Sequence, residues 1–143
     1  MNKFLKITIL VYLSFFNSNF ALSDNNFFDD ALKHYEDKNY DNARFLFERH
    51  IVFNPKDANS YLYLAKIYNY EQNQRKEEYN LETALLIEPD NEEVLLMLMK
   101  IALNKSNYSD IKDFSQTFTK VCKNLCDENL KILEALKNIE PKK

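Results

Sequence analysis

Glycine is missing from all 143 positions, and so is tryptophan. Without glycine the chain has no residue that reaches positive φ at little cost, or that lets a phosphate or a second backbone come close. Phosphate-cradling loops and two-residue hairpins are thereby disfavoured. Only two cysteines and two histidines occur, too few for a disulfide-dense scaffold or a histidine-rich metal centre. The stretch Ile7 to Phe16 is the one sustained apolar run at the amino terminus. It falls well short of the about 20 residues that cross a bilayer.

What remains suits helices. Nine tyrosines and eleven phenylalanines supply a core, and turns rich in Asn and Asp separate apolar-periodic segments. Asparagine tolerates the left-handed region best after glycine, so asparagine is expected to close the helices. The length fits a single domain, and a chain of roughly 120 residues buries roughly 65% of its unfolded surface, enough for a modest core.

The amino terminus reads as a secretion signal, residues 1–23. Lys3 and Lys6 precede the apolar run, polar Asn17, Ser18 and Asn19 end it, and Ala21-Leu22-Ser23 offers small residues before Asp24. No cysteine follows to take a lipid. Cleavage leaves residues 24–143, with 17 basic and 22 acidic side chains and a net charge of −5. An acidic exported chain without a basic stripe argues against nucleic acid and anionic membranes as partners. The short signal points to a bacterial periplasm, or secretion, with no stable membrane insertion after cleavage.

Two prolines punctuate the remainder 34 residues apart, Pro55 and Pro89. Each stops a helix, having no N–H to continue it. Between them lie two apolar-periodic segments, Ala58 to Glu71 and Arg75 to Ile87. A 34-residue helix–turn–helix unit closed by proline resembles a tetratricopeptide repeat. The first unit, about 24–57, supplies Ala31, Tyr40, Ala43 and Phe47, and Asn39-Tyr40-Asp41-Asn42-Ala43 is its most family-like string. The second, 58–91, supplies Tyr61, Leu64, Ala65, Tyr68, Leu81, Ala84 and Leu85. It departs from the pattern where Gln74 replaces an aromatic residue and Glu77 a small one, which predicts looser packing or a rotated helix there. The third, 92–124, offers Leu95, Leu98, Met99, Tyr108, Ile111, Phe114 and Phe118. A capping helix is expected over 127–138, its apolar side made of Leu130, Leu133, Ala135 and Leu136. The resemblance implies an all-α superhelical solenoid of three units, the minimum that buries a continuous core.

Nothing in the chain assembles a catalytic centre. His34 and His50 stand without a second ligand at metal spacing, and adjacent acids such as Glu92-Glu93 project about 100° apart on a helix. These acids read as solvated faces and helix N-termini. No catalytic residue, metal or cofactor is expected. Cys122 and Cys126 are the one reactive pair, and in an oxidising compartment they read as a disulfide holding the cap. A thiol-redox or metal-binding module, for example in cytochrome maturation, is the alternative use.

In the family, the first helix of each unit lines a concave groove that receives a partner's peptide or helix. Carried onto this chain, the resemblance assigns the groove to Phe28, Leu32, Tyr35, Asn59, Leu62, Lys66, Asn69, Tyr70, Glu93, Leu96, Lys100 and Leu103. Lys66 and Lys100, one period apart, are expected side by side and available to an acidic or carboxylate ligand. The resulting expectation is an adaptor for a protein or peptide of the cell envelope. Self-association through the solenoid ends is a further possibility.

Overall fold

A computed structural model describes residues 27–139; the expected secretion signal and the terminal lysines lie outside the described residues. The described chain is all helix and turn. The helices are α1 (Phe27–Glu36), α2 (Tyr40–Phe53), α3 (Ala58–Tyr70), α4 (Gln74–Ile87), α5 (Glu92–Asn104), α6 (Tyr108–Val121) and α7 (Cys126–Ile139). They pack in antiparallel pairs α1/α2, α3/α4 and α5/α6, each pair against the next, with α7 lying on α5 and α6.

The turns inside the pairs share one geometry. Lys38, Gln72 and Ser106 take φ of 59°, 58° and 55°. Their amides donate to the carbonyls of Tyr35, Asn69 and Leu103, and the next amides, of Asn39, Asn73 and Asn107, donate to His34, Tyr68 and Ala102 at 2.8 Å. This double bond pattern satisfies carbonyls orphaned at a helix end. The left-handed position therefore belongs to Lys, Gln and Ser, not to the expected asparagine. Asparagine stands one residue later and starts the next helix: the side chains of Asn73 and Asn107 accept from the amides of Lys76 and Asp110. Between pairs, Asp57 and Asn91 do the same for Ser60 and Val94, both at 3.1 Å.

Small residues permit the close approach of the first two pairs. Ala31, Ala43, Ala65 and Ala84 are wholly buried, with Phe47 and Leu81 filling the space beside them. At the position equivalent to Ala65 the third unit holds Met99, also wholly buried and packed with Ile111 and Phe118. The predicted loosening at Glu77 does not occur. Pair α3/α4 is in the most extensive contact of all, because Glu77 is buried with its carboxylate accepting from Asn69 Nδ2 at 2.9 Å.

Ion pairs join successive units. Arg44 of α2 reaches Glu71 after α3, and Glu78 of α4 reaches Lys105 after α5. The two pairs occupy equivalent positions with the charges exchanged. The cap also differs from its expected face: Ile132 and Leu136 are buried, whereas Leu130 is 60% exposed. Asn129 accounts for the rotation. It is buried, accepts from Ser115 Oγ at 2.8 Å and donates to Thr119 Oγ1 at 3.0 Å, so a polar latch to α6 sits where a leucine was expected.

Candidate partner-binding groove

Helices α1, α3 and α5 carry the residues assigned to a groove, and the structure divides them into three sets. Leu62 and Leu96 are core, 4% and 5% exposed, and Leu103 is half-buried against the third unit's core. Tyr35 and Tyr70 belong to an aromatic ladder running across the first two units. Tyr35 meets Tyr63 at 5.0 Å and Tyr40 at 5.6 Å, and Tyr40 meets Tyr70 at 4.4 Å. Burial, and then the neighbouring tyrosines, raise the Tyr35 pKa above its ordinary value. Tyr70, 68% exposed, is the accessible end of this ladder.

Lys66 and Lys100 have different surroundings despite their equivalent positions. Lys66 Nζ lies 2.8 Å from Glu93 Oε1 on α5 and 4.6 Å from the centre of the Tyr63 ring. Its charge is already engaged in joining α3 to α5. Lys100 is exposed and borders a cavity of about 510 Å³, lined also by Asn69, Gln72, Gln74, Glu77, Met97, Ile101 and Asn104. Asn69 and Lys100 are thus brought together, while Asn59 is exposed at the other end of α3.

The cavity has a definite chemistry. Four carboxamides offer donors and acceptors in equal measure, which suits an extended peptide backbone. Met97 and Ile101 provide an apolar surface, Lys100 a cation, and Glu77 a carboxylate. Burial pushes the Glu77 pKa up, against the opposing hydrogen bond from Asn69. Gln72, Gln74, Glu77, Met97, Ile101 and Asn104 were not assigned to a groove from sequence. The concentration of amides at Asn69, Gln72, Asn73 and Gln74 was the available signal; Asn69 was assigned to the groove, and the other three fell in the turn between the expected helices.

His50 lies away from this cavity, its ring 5.6 Å from that of Phe28 and its Nε2 3.5 Å from Asp57. Among the described residues no group of three His, Cys, Asp or Glu could hold a metal ion, and no helix is long and apolar enough to cross a membrane.

Cys122 and Cys126 are joined in a disulfide, with Cα atoms 5.4 Å apart, at the entry to α7. The loop they close is gripped from outside. The Glu92 carboxylate accepts from the amides of Lys123, Asn124 and Leu125 at 2.8, 3.1 and 2.9 Å. Glu92 and Glu93 are therefore not a merely solvated face: one holds the cap, the other holds Lys66. The bond from Leu125, followed by the other two amides, lowers the Glu92 pKa. A lowered folded-state pKa stabilises above the ordinary carboxylate value and loses that contribution as pH falls through the folded value. Glu92→Gln is expected to lower the melting temperature at pH 7 and to lessen its fall on acidification below pH 4.5. Parallel acid-limb melting curves for both proteins would contradict this role.

The stacked helix pairs and their grooved face define a helical-repeat solenoid. More particularly, the chain has a tetratricopeptide-type fold. It superposes on the crystal structure of the Sgt2 TPR domain from Aspergillus fumigatus with a TM-score of 0.61 at 16% identity, over 83% of this chain and 85% of that one. No family model matches the sequence, and no curated protein matches it.

Proposed function

We propose that this protein is an exported scaffold that holds a peptide segment of an envelope protein along the face of α3 and α5. The observation that carries this reading is the cavity where Asn69 and Lys100 meet, with amides, an apolar surface and an exposed cation in one place. The tetratricopeptide-type fold supports a protein–protein interaction scaffold in general. The signal-like residues 1–23 support export to the periplasm, or secretion, with Asp24 as the first mature residue.

Binding would combine amide bonds to the peptide backbone with burial of a side chain over Met97 and Ile101. Lys100 favours a carboxylate at the rim, either an acidic side chain or a chain terminus. Lys66 contributes little, since Glu93 neutralises it.

Arrays of immobilised peptides with free and amidated carboxyl termini test this. The wild-type protein is expected to retain acidic or free-carboxylate peptides. Lys100→Glu should lower that affinity by about tenfold or more, the scale of a charged hydrogen bond, and Lys66→Glu by much less. Retention of the same peptides by Lys100→Glu at undiminished affinity would remove the cavity from consideration. Amino-terminal sequencing of the protein recovered from the envelope fraction tests export: any start upstream of Asp24 contradicts cleavage there.

A further inference from the structure

The outward faces of α2 and α4 carry large apolar side chains at positions the core does not use. Phe45 and Val52 on α2 are 59% and 73% exposed; Tyr79 and Leu86 on α4 are 67% and 84% exposed. Within each helix the pair is seven residues apart, two turns and about 10 Å along one face. Between helices, Phe45 matches Tyr79 and Val52 matches Leu86 at the 34-residue period. The third unit ends the pattern, with exposed Asp113 and Lys120 at the corresponding positions. The result is a matching pair of exposed apolar positions on each of two helices, with Glu48, Arg49 and Glu82 exposed between them.

Four exposed charges mark its corners. Asp41 and Arg75 stand four residues before Phe45 and Tyr79, while Lys56 and Asp90 stand four residues after Val52 and Leu86. From the start of α2 to the turn beyond Pro55 the charges run acid then base, and from the start of α4 to the turn beyond Pro89 base then acid. The signs alternate around the patch, so it is complementary to itself under a two-fold rotation. Asp41 has Arg44 at 2.9 Å on its own helix yet remains 87% exposed.

We propose that this patch is the interface of a homodimer in which α2 of one copy lies along α4 of the other, on a two-fold axis parallel to both helices. Phe45 then meets the second copy's Tyr79, and Val52 its Leu86. Asp41 meets Arg75, and Lys56 meets Asp90. Arg49, midway along α2, faces Glu82. The alternative two-fold, which sets α4 against α4 in opposite directions, brings Glu82 against its own copy and is disfavoured for that reason. None of the corner or patch residues lines the cavity at Asn69 and Lys100, so a dimer would present two open cavities.

Sedimentation of the full gene product, purified as the cell processes it, tests the proposal. The wild type is expected to show a concentration-dependent monomer–dimer equilibrium. Leu86→Lys should weaken it by at least about tenfold, with an unchanged circular dichroism spectrum. Arg75→Asp should weaken it about tenfold, since symmetry breaks two corner pairs at once, and adding Asp41→Arg should restore it. A wild type that sediments as a monomer up to its solubility limit overturns the proposal, even if the patch then binds lipid vesicles or another protein. A dimer indifferent to Leu86→Lys overturns it as well. Rescue of Arg75→Asp by Asp90→Arg in place of Asp41→Arg overturns the pairing of α2 with α4.

Discussion

Phe47→Ala is expected to cost about 3–5 kcal/mol, the usual loss for emptying a buried phenylalanine site. Phe47 is wholly buried, stacked on Tyr63 at 5.2 Å with an interplanar angle of 7°, and met edge-on by Phe28 at 5.6 Å. It is the wholly buried centre of the aromatic contacts that join α1, α2 and α3, in which Phe28, Tyr35 and Tyr63 also take part. The loss is comparable to a large part of a domain's stability, but it should be unevenly spread. In a stacked array each unit contacts only its neighbours, so α1 and α2 should open while α5 to α7 stay closed. Amide hydrogen exchange reads this directly. Faster exchange confined to the first unit is the expected pattern, and an equal increase across all seven helices would contradict it. Tyr70 and Tyr40 would be released from the ladder in the same event, exposing α3 as a new solenoid end.

Replacing Cys122 and Cys126 together by Ser is expected to cost about 2 kcal/mol, the chain-entropy value for so short a loop. The effect belongs to the opposite end of the molecule. Without the bond, α7 is held by Ile132, Leu136, the Asn129 latch and the three amides on Glu92. Denaturant titration with and without reductant should separate the wild type from the double variant, which has nothing to reduce. If reduction of the wild type leaves amide protection of α7 unchanged, the apolar contacts, the Asn129 latch and the Glu92 grip secure the cap without the bond. The exposed thiols of the reduced wild type would also be available to alkylation, which gives an independent check on the bond.

The fold was readable because its determinants are local and periodic. Alanines and aromatics recurred at helical spacing, and Pro55 and Pro89 marked one complete unit. The groove was less readable, for reasons that particular residues make plain. Leu62 and Leu96 were assigned to it because the family resemblance places their positions on the concave side, and a rotation of a fraction of a turn carries such a residue into the core. Lys66 and Lys100 looked alike because equal positions imply equal orientation. They do not imply equal neighbours, and Glu93 stands beside only one of them. Glu77 was taken for a defect because a carboxylate at a small-residue position ordinarily forces helices apart. Asn69, eight residues earlier and across the turn, supplies the hydrogen bond that lets it be buried. Glu92 reaches amides 31 to 33 residues away, a distance at which no sequence pattern constrains a side chain. Similarly, Arg44–Glu71 and Glu78–Lys105 keep an ion pair at equivalent positions of both junctions while exchanging its signs. A search for repeated residues passes over such a pair.

The left-handed residues carry this point further. Letter by letter, the three turns at Lys38, Gln72 and Ser106 have nothing in common at their tightest position, yet their φ angles agree within 4°. Each departs from the favoured region at a cost of about 1–2 kcal/mol, although asparagine, which would incur less, stands one position later. The residue differs from turn to turn while the torsion does not. The turn is set by the pair of backbone hydrogen bonds that closes it, so the chain reverses in the same way at three different residues.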